Sequence, residues 1–529
     1  MQGIVVRGTT LAAHSNDYVQ TVAQHSLLLC LPNELLDSVL TNLPCQDIND
    51  LRLHCRQARM KTFPFWSRSY FRTRQFMIDA YSLQTLVDIS RHPQLSRVLT
   101  HLVIGVDEID TKDTLAYIRA SKARNPHNRP SLFQYWRDAA SAQQALLNTG
   151  RAIDLLSSAM AHLPNLDKVS VSGSKLFAHA PYYSKTFHYL DLGMRSYGSS
   201  AHQMQPRHTT SGMPNSKGFI DRVFNVVLNS LVRSAPKITS LQTRLSNDDT
   251  LNYMDDEAFN LLPLAPMQTS AATVLGSLTE LHLEVSLESQ LLEKVDNLIE
   301  HDHIFNTSNF GLRRLLGLAR NLQCLTLKFV GGETIEGHCD FTAWLSEPAG
   351  RPLEDAYDGN ENASSKSHTS VAWNPPPISL PFLRRLVLQG LFISPGQLRA
   401  TFTKFHDLKS AALQGVYLRR CFIDSPPVPE YSDEMENTWA EFFRGSHSAL
   451  SNLESLELHN LATMQYREDP IDGVSVASKD VDLVVFVPEE GGAEFAHSFM
   501  TVTNFGRDAL HKLAGQIRLG RDLIAAVDQ

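Results

Sequence analysis

Four segments of the chain share one short pattern, and that pattern narrows the fold more than any other feature. LTELHLEV starts at Leu278, LQCLTLKF at Leu322, LRRLVLQG at Leu383 and LESLELHN at Leu453, each of the form L-x-x-L-x-L. LPNLDKVSVSG at 163 and LKSAALQG at 408 are weaker copies. The alternation of apolar and polar side chains predicts a short strand with one buried face. Helical segments precede several of these strands, in RAIDLLSSAMAHLPNLDKVSVSG (151–173), GFIDRVFNVVLNSLVRSAPKITSLQTR (218–244) and FGLRRLLGLARNLQCLTLKF (310–329). In the second, Phe224, Val227, Leu228 and Leu231 follow helical spacing. One helix–strand unit cannot bury its own apolar face, whereas a stack of them can.

The pattern resembles the core of a leucine-rich repeat, one strand per unit with its leucines turned into a shared core. Regular repeats of this kind run about 20–29 residues. Here the four clear copies start 44, 61 and 70 residues apart, from the positions 278, 322, 383 and 453. The expected fold class is therefore α/β: a small N-terminal helical block, then an irregular leucine-rich-repeat-like α/β solenoid.

Residues 1–25 read as a flexible tail and 26–78 as a compact helical block and linker. Residues 79–460 read as the array, beginning with a helix over about 82–91, a break at His92-Pro93 and a strand ending near Ile104. Within it, 196–218 (Ser, Gly, Pro and His) and 346–377 (polar, proline-ended) read as mobile insertions. Residues 461–529 read as a C-terminal capping region, with a strand at VDLVVFVPEE (481–490) and mostly helix over 507–529, interrupted at Gly520.

The chain has 529 residues, 43% hydrophobic and 20% charged, with a formal net charge of −8. That charge gives no general footprint for nucleic acid or an anionic membrane. No apolar run approaches a membrane span, and the N-terminus lacks a secretory pattern. The six cysteines make no CxxC pair and are too sparse for a disulfide scaffold. These features point to the cytoplasm, the nucleus or both.

The stretch LPNELLDSVLTNL (31–43) raises a different question. Pro32 opens a helix where its missing donor costs nothing, Asn33 and Glu34 suit the positive end of the dipole, and Pro44 stops it. Leu35, Val39 and Leu43 form one stripe with Leu36 and Leu40 beside it. Asp47 is placed to cap a second helix, DINDLRLHCRQAR, with Ile48, Leu51 and Cys55 on one face and Leu53 to one side. A block of about 45 residues has too much surface to hide so many aliphatic groups. Either the array covers them or a partner protein does.

LPNELLDSVLTNLPCQDINDLRLHCRQAR resembles the F-box, in its LP-x-E-L-L opening, its following apolar helix, the central D-I and the LR…CR ending. The continuation FRTRQFMIDAYSLQTLVDISRHPQLSRVLTHLVIG is similar to the block following the F-box in many fungal F-box proteins, so the resemblance covers roughly residues 28–106. The resemblance implies docking on the adaptor of an SCF-type ubiquitin ligase, and through it on a cullin and a RING subunit. By position it assigns Leu31, Pro32, Leu35, Leu36, Val39, Leu43, Asp47, Ile48, Leu51, Leu53 and Cys55 to forming or supporting the adaptor surface. The array would capture an unknown protein substrate, with no catalysis and no cofactor of its own. The alternative role is an F-box scaffold outside the ligase.

Other constellations are weaker. Arg52, Arg56, Arg59, Lys61, Arg68, Arg72 and Arg74 interleave with Phe63, Phe65, Trp66, Tyr70 and Phe71. This reads as a solvated basic face with aromatics anchoring the block to the array, rather than a nucleic-acid surface. His301, Asp302 and His303 with Cys324, His338 and Cys339 lack converging metal-ligand spacing, so no metal is expected. No nucleophile, metalloprotease or phosphate-loop motif occurs in a suitable context, and Asp355, Asp358 and Glu361 fall in an expected mobile insertion.

Overall fold

The computed structural model describes residues 27–106, 108–109, 129–173, 218–245, 253–259, 265–287, 309–330, 335–349, 375–419, 437–471, 474–487, 498–503 and 505–519. The expected tail 1–25 and most of the insertions 196–218 and 346–377 lie outside these residues. The architecture is mixed α/β, with open sheets and no barrel.

Among the described residues four helices come first: α1 (Leu27–Cys30), α2 (Asn33–Thr41), α3 (Cys45–His54) and α4 (Arg56–Phe71). The helix starts differ from expectation. Pro32 and Pro44 occupy the N-cap positions of α2 and α3, without side-chain caps, because each fixes the extended backbone that precedes a helix. Asp47 consequently sits in the first turn of α3, favourable to the dipole, rather than at its cap. The expected second helix also divides: Cys55 is extended, and its Sγ accepts the Ala58 N–H at 3.3 Å as the N-cap of α4.

From Thr73 the chain builds a sheet. The strands are β1 (Thr73–Met77), β2 (His101–Gly105), β3 (Lys168–Ser172), β4 (Ser240–Arg244), β5 (Glu280–Val285), β6 (Cys324–Phe329) and β7 (Arg385–Gln389). After the two-residue β8 (Phe392–Ile393) come β9 (Ser410–Gln414), β10 (Tyr417–Arg419) and β11 (Ser455–His459). Strands β1 to β7, then β9 and β11, lie side by side in chain order, every neighbouring pair parallel. Because β1 pairs with β2, the sheet begins inside the segment 26–78.

Parallel neighbours need a crossover, and helices supply it. They are α5 (Ala80–Arg91), α6 (Arg129–Asn148), α7 (Arg151–Ala161), α8 (Phe219–Ser234), α9 (Ala265–Gly276), α10 (Phe310–Leu318), α11 (Ile335–Ser346), α12 (Pro395–Lys404), α13 (Thr438–Gly445) and the single-turn α14 (His447–Leu450). Local chemistry sets their starts. Asp79 accepts the N–H groups of Tyr81 and Ser82, and Ser394 with Gln397 forms a capping box behind Pro395. The Asp256 carboxylate accepts the first amides of α10 from Gly311 and Leu312, each at 3.0 Å.

The helices and the leucine rows of the strands form one continuous core, running from Phe76, Leu102 and Val169 through Leu281, Leu325 and Leu386 to Leu413 and Leu458. The alternate strand residues, such as Val103, Ser170 and Ala412, are buried without belonging to it. The helices thus cover one face of the sheet, and the polar row occupies the other.

One hydrogen bond recurs at every parallel step. The carbonyl of Arg72 accepts the N–H groups of both Thr100 and His101. The carbonyls of Thr100, Asp167, Thr239, Thr279, Gln323, Arg384 and Lys409 do the same for the two residues that open the next unit, all at 2.7–3.3 Å.

Toward the C-terminus a second sheet grows from the first. β8 and β10 follow β7 and β9 directly, and they pair in parallel with each other and then with β12 (Ala462–Ile471). β13 (Val474–Phe486) returns antiparallel to β12, in the region expected to be a strand. β14 (Phe499–Val502) ends the larger sheet antiparallel to β11. Among the described residues of the expected C-terminal helix, Arg507–Gln516 (α15) is helical and Ile517–Leu519 (β15) instead pairs with β13. Residues beyond 519, including Gly520, lie outside the described residues.

Candidate docking surface

The N-terminal helices have a small core of their own. Leu36 and Leu40 of α2 meet Ile48 of α3, each 1% exposed. Leu28, Leu31, Leu43, Leu51, Phe65 and Trp66 pack around them. Long side chains from α4 tie the block together. Lys61 donates to the carbonyls of Leu29 and Leu31, and Arg68 pairs with Asp37 of α2 at 2.7 Å.

Trp66 joins this small core to the large one, since it packs against both. Its indole N–H donates to Asn49 Oδ1 at 3.1 Å, its ring lies 4.8 Å from that of Phe71, and the Arg52 guanidinium sits 3.8 Å above it. Burial, with help from Arg59, lowers the affinity of Arg52 for its proton. Phe63 and Phe71 reach the large core beside Trp66.

The residues assigned to the adaptor surface separate into three groups. Leu36 and Ile48 point inward and hold the block. Leu31, Leu43, Leu51 and Cys55 are half-buried at its margin. Pro32, Leu35, Val39, Asp47 and Leu53 face solvent, with Leu35 at 55%, Val39 at 38% and Leu53 at 83% exposure. The helical stripes are thereby distinguished: Leu36–Leu40 faces the core and Leu35–Val39 faces out. Met60 on α4, 65% exposed, is a further apolar side chain that the sequence pattern did not single out.

The basic run is less uniform than a solvated face. Arg56, Arg59, Arg68 and Arg72 are exposed, but Arg74 is buried on β1 with its guanidinium 5.6 Å from the Phe71 ring. Lys61 and Arg52 are committed to contacts within the block. The aromatic residues do link the helices to the sheet.

Elsewhere, His338 is buried between Phe329 and Phe392, and burial pushes it down to about 4. His301, Asp302 and His303 lie outside the described residues, as do Asp355, Asp358 and Glu361. Among the described residues no three metal-ligating side chains converge, and no helix is long and apolar enough to cross a membrane. No protein-family model matches the chain, and no curated protein is significantly similar to it.

Proposed function

We propose that the chain is a substrate receptor of an SCF-type ubiquitin ligase, acting in the cytoplasm, the nucleus or both. In this reading the N-terminal helices are an F-box, and α2 and α3 dock on the adaptor that leads to the cullin and the RING subunit. The strand array is an irregular leucine-rich-repeat-like solenoid that captures the substrate protein. The chain performs no chemistry and needs no cofactor. It works by proximity, raising the effective concentration of substrate beside the ubiquitin-loaded enzyme.

The observation that carries the reading is the outward stripe of α2. Leu35 and Val39 stay exposed although Leu36 and Leu40 already supply the apolar side chains that the block needs internally. Covering such a side chain fully gains about 1.5–3 kcal/mol. A helix face seated in an apolar groove is an established way to collect that gain. The match of LPNELLDSVLTNLPCQDINDLRLHCR to the F-box pattern supplies the identity of the groove.

The test is a pull-down with recombinant adaptor, comparing the wild-type chain with Leu35→Asp/Val39→Asp. Both positions are exposed, so the helical circular dichroism should be retained while adaptor binding is lost. Undiminished binding by the folded double variant would sink the docking reading. Co-purification of the cullin separates a ligase subunit from an adaptor-bound scaffold.

A further inference from the structure

The outward face of α2 holds a hydroxyl as well as apolar groups. Ser38 is exposed and lies between Leu35 and Val39 in the helix. Successive helical residues turn by about 100°, which sets Ser38 opposite the midpoint of the buried Leu36 and Leu40. Thr41, the other hydroxyl residue of α2, donates to the Asp37 carbonyl one turn back at 2.8 Å. The Ser38 hydroxyl makes no such bond to Glu34 and has no protein partner among the described residues. It stands free at the middle of the face that docking would cover.

The surroundings of Ser38 disfavour any negative charge placed on it. Glu34 precedes it by one turn and Asp37 is its neighbour. Like charges four residues apart on a helix repel. Ser38 belongs to the last turn of α2, at the negative end of the dipole. Arg68 reaches α2 from α4, but its guanidinium is already held by Asp37 at 2.7 Å. Leu35 and Val39 on either side are exposed apolar groups that a partner groove must keep dry. The block also opens readily. Its small core rests on Leu36, Leu40 and Ile48, and so limited a core comes apart at lower cost than the sheet does. The opened segment presents Ser38 in extended form to an enzyme while the array stays folded.

We propose that Ser38 is a protein-kinase phosphorylation site whose phosphate switches docking off. The Ser38 Oγ bonds to the γ-phosphorus of ATP as the bond from that phosphorus to ADP breaks. The hydroxyl proton leaves through a base of the kinase. The resulting phosphoserine carries about −1.5 to −2 charges at neutral pH. Seating it in an apolar groove strips its water and supplies no partner in exchange. Its position meets the conditions under which a phosphate disrupts rather than orders: a helix C-terminal turn, neighbouring carboxylates and an apolar interface. Modification acts on the undocked chain, because a seated partner covers the hydroxyl. The switch regulates the docking surface and rests on the docking reading.

The test has two arms. The full chain is expressed with its adaptor in eukaryotic cells and separated into adaptor-bound and adaptor-free pools. Mass spectrometry of the peptides covering Ser38 should find the phosphate in the free pool and not in the bound one. For the second arm the full chain is made with phosphoserine installed at residue 38 and titrated with recombinant adaptor. Binding should weaken by more than about tenfold and return after phosphatase treatment. Phosphoserine at Ser451, exposed at the end of α14, should leave binding unchanged. The melting transition of each chain checks that the array is folded. Absence of phosphate on Ser38 from both pools, equal phosphate in both, undiminished binding by the phosphoserine-38 chain, or equal weakening from Ser451 would overturn the proposal. An unmodified chain that binds no adaptor overturns the docking reading and this switch together. One that binds whether or not Ser38 is phosphorylated overturns the switch alone, so the two failures are distinguishable.

Discussion

Gly390 has φ +68°, and a Cβ at this position would stand 2.3 Å from the carbonyl oxygen of Phe329. Gly415 holds the same place one unit later with φ +58°, but a Cβ there would meet nothing nearer than 3.9 Å. Asn460 follows with φ 47°. Each closes a strand by donating to the next unit: Gly390 to Gln414 O, Gly415 to His459 O and Asn460 to Ser498 O, at 2.8–2.9 Å. Gly415→Ala should cost only the left-handed backbone penalty, about 1–2 kcal/mol. Gly390→Ala should cost distinctly more, because backbone rather than a flexible side chain blocks the methyl group. Urea unfolding of the two variants checks the ordering, and equal losses would refute it. His338 offers a second test at this scale. Its folded-state value of about 4 lies below the ordinary 6.5, so the unfolded chain binds the proton more readily. Its burial in the neutral form is free of proton competition above about pH 6.5, and stability is lost as pH falls from there toward 4. The full difference is on the order of 3 kcal/mol. His338→Gln removes the titration, so its melting temperature should fall less than that of the wild type between pH 6.5 and 4.5.

At the scale of elements, the units were legible wherever leucine itself filled the pattern. β5, β6, β7 and β11 follow the four clear L-x-x-L-x-L copies. The remaining units obey the same rule with other apolar residues. Leu99, Leu102 and Ile104 serve β2; Leu166, Val169 and Val171 serve β3; all six are buried. The weak copy therefore begins at Leu166 rather than at 163, a three-residue shift that the leucine of LPNL conceals. The shared carbonyl at each step reveals the equivalence that the spacing hides, since Thr100, Asp167 and Thr279 all accept two N–H groups in the same way. β1 departs for a physical reason: Arg74 stands in register with Leu102, where later units have an apolar residue. Its guanidinium lies against Phe71 at the end of α4, so here the helical block helps cover a position that the core leucines cover elsewhere. The polar row at Gln75, Gln242 and His282 was not legible, because each is an unconstrained x position of the pattern. Only the register places them together. The division between Leu36–Leu40 and Leu35–Val39 was equally hidden, since both stripes are apolar and only the position of α3 and α4 decides between them.

At the scale of the molecule, the question is whether the N-terminal helices close the array or are carried by it. The two cores meet at Trp66, and no described residue before Cys55 belongs to the larger one. α4 differs in kind, because Phe63, Trp66 and Phe71 pack on the large core and the chain passes from α4 into β1. A chain beginning at Cys55 keeps α4 with its cap, and its sheet should unfold cooperatively with a melting temperature close to that of the full chain while adaptor binding disappears. A chain beginning at Thr73 loses all three aromatic side chains, each worth up to about 1.5–3 kcal/mol if fully buried. It also leaves β1 as an uncovered edge strand, a template for pairing with other chains. That chain should melt lower and aggregate. Calorimetry and light scattering on the two truncations distinguish the cases. If the chain beginning at Cys55 fails to fold, then α2 and α3 are the end cap of the array, and the exposure of Leu35 and Val39 needs an explanation other than docking. If it folds and the shorter chain does not, the fold of the array depends on α4 alone among these helices, and α2 and α3 are free for the proposed docking.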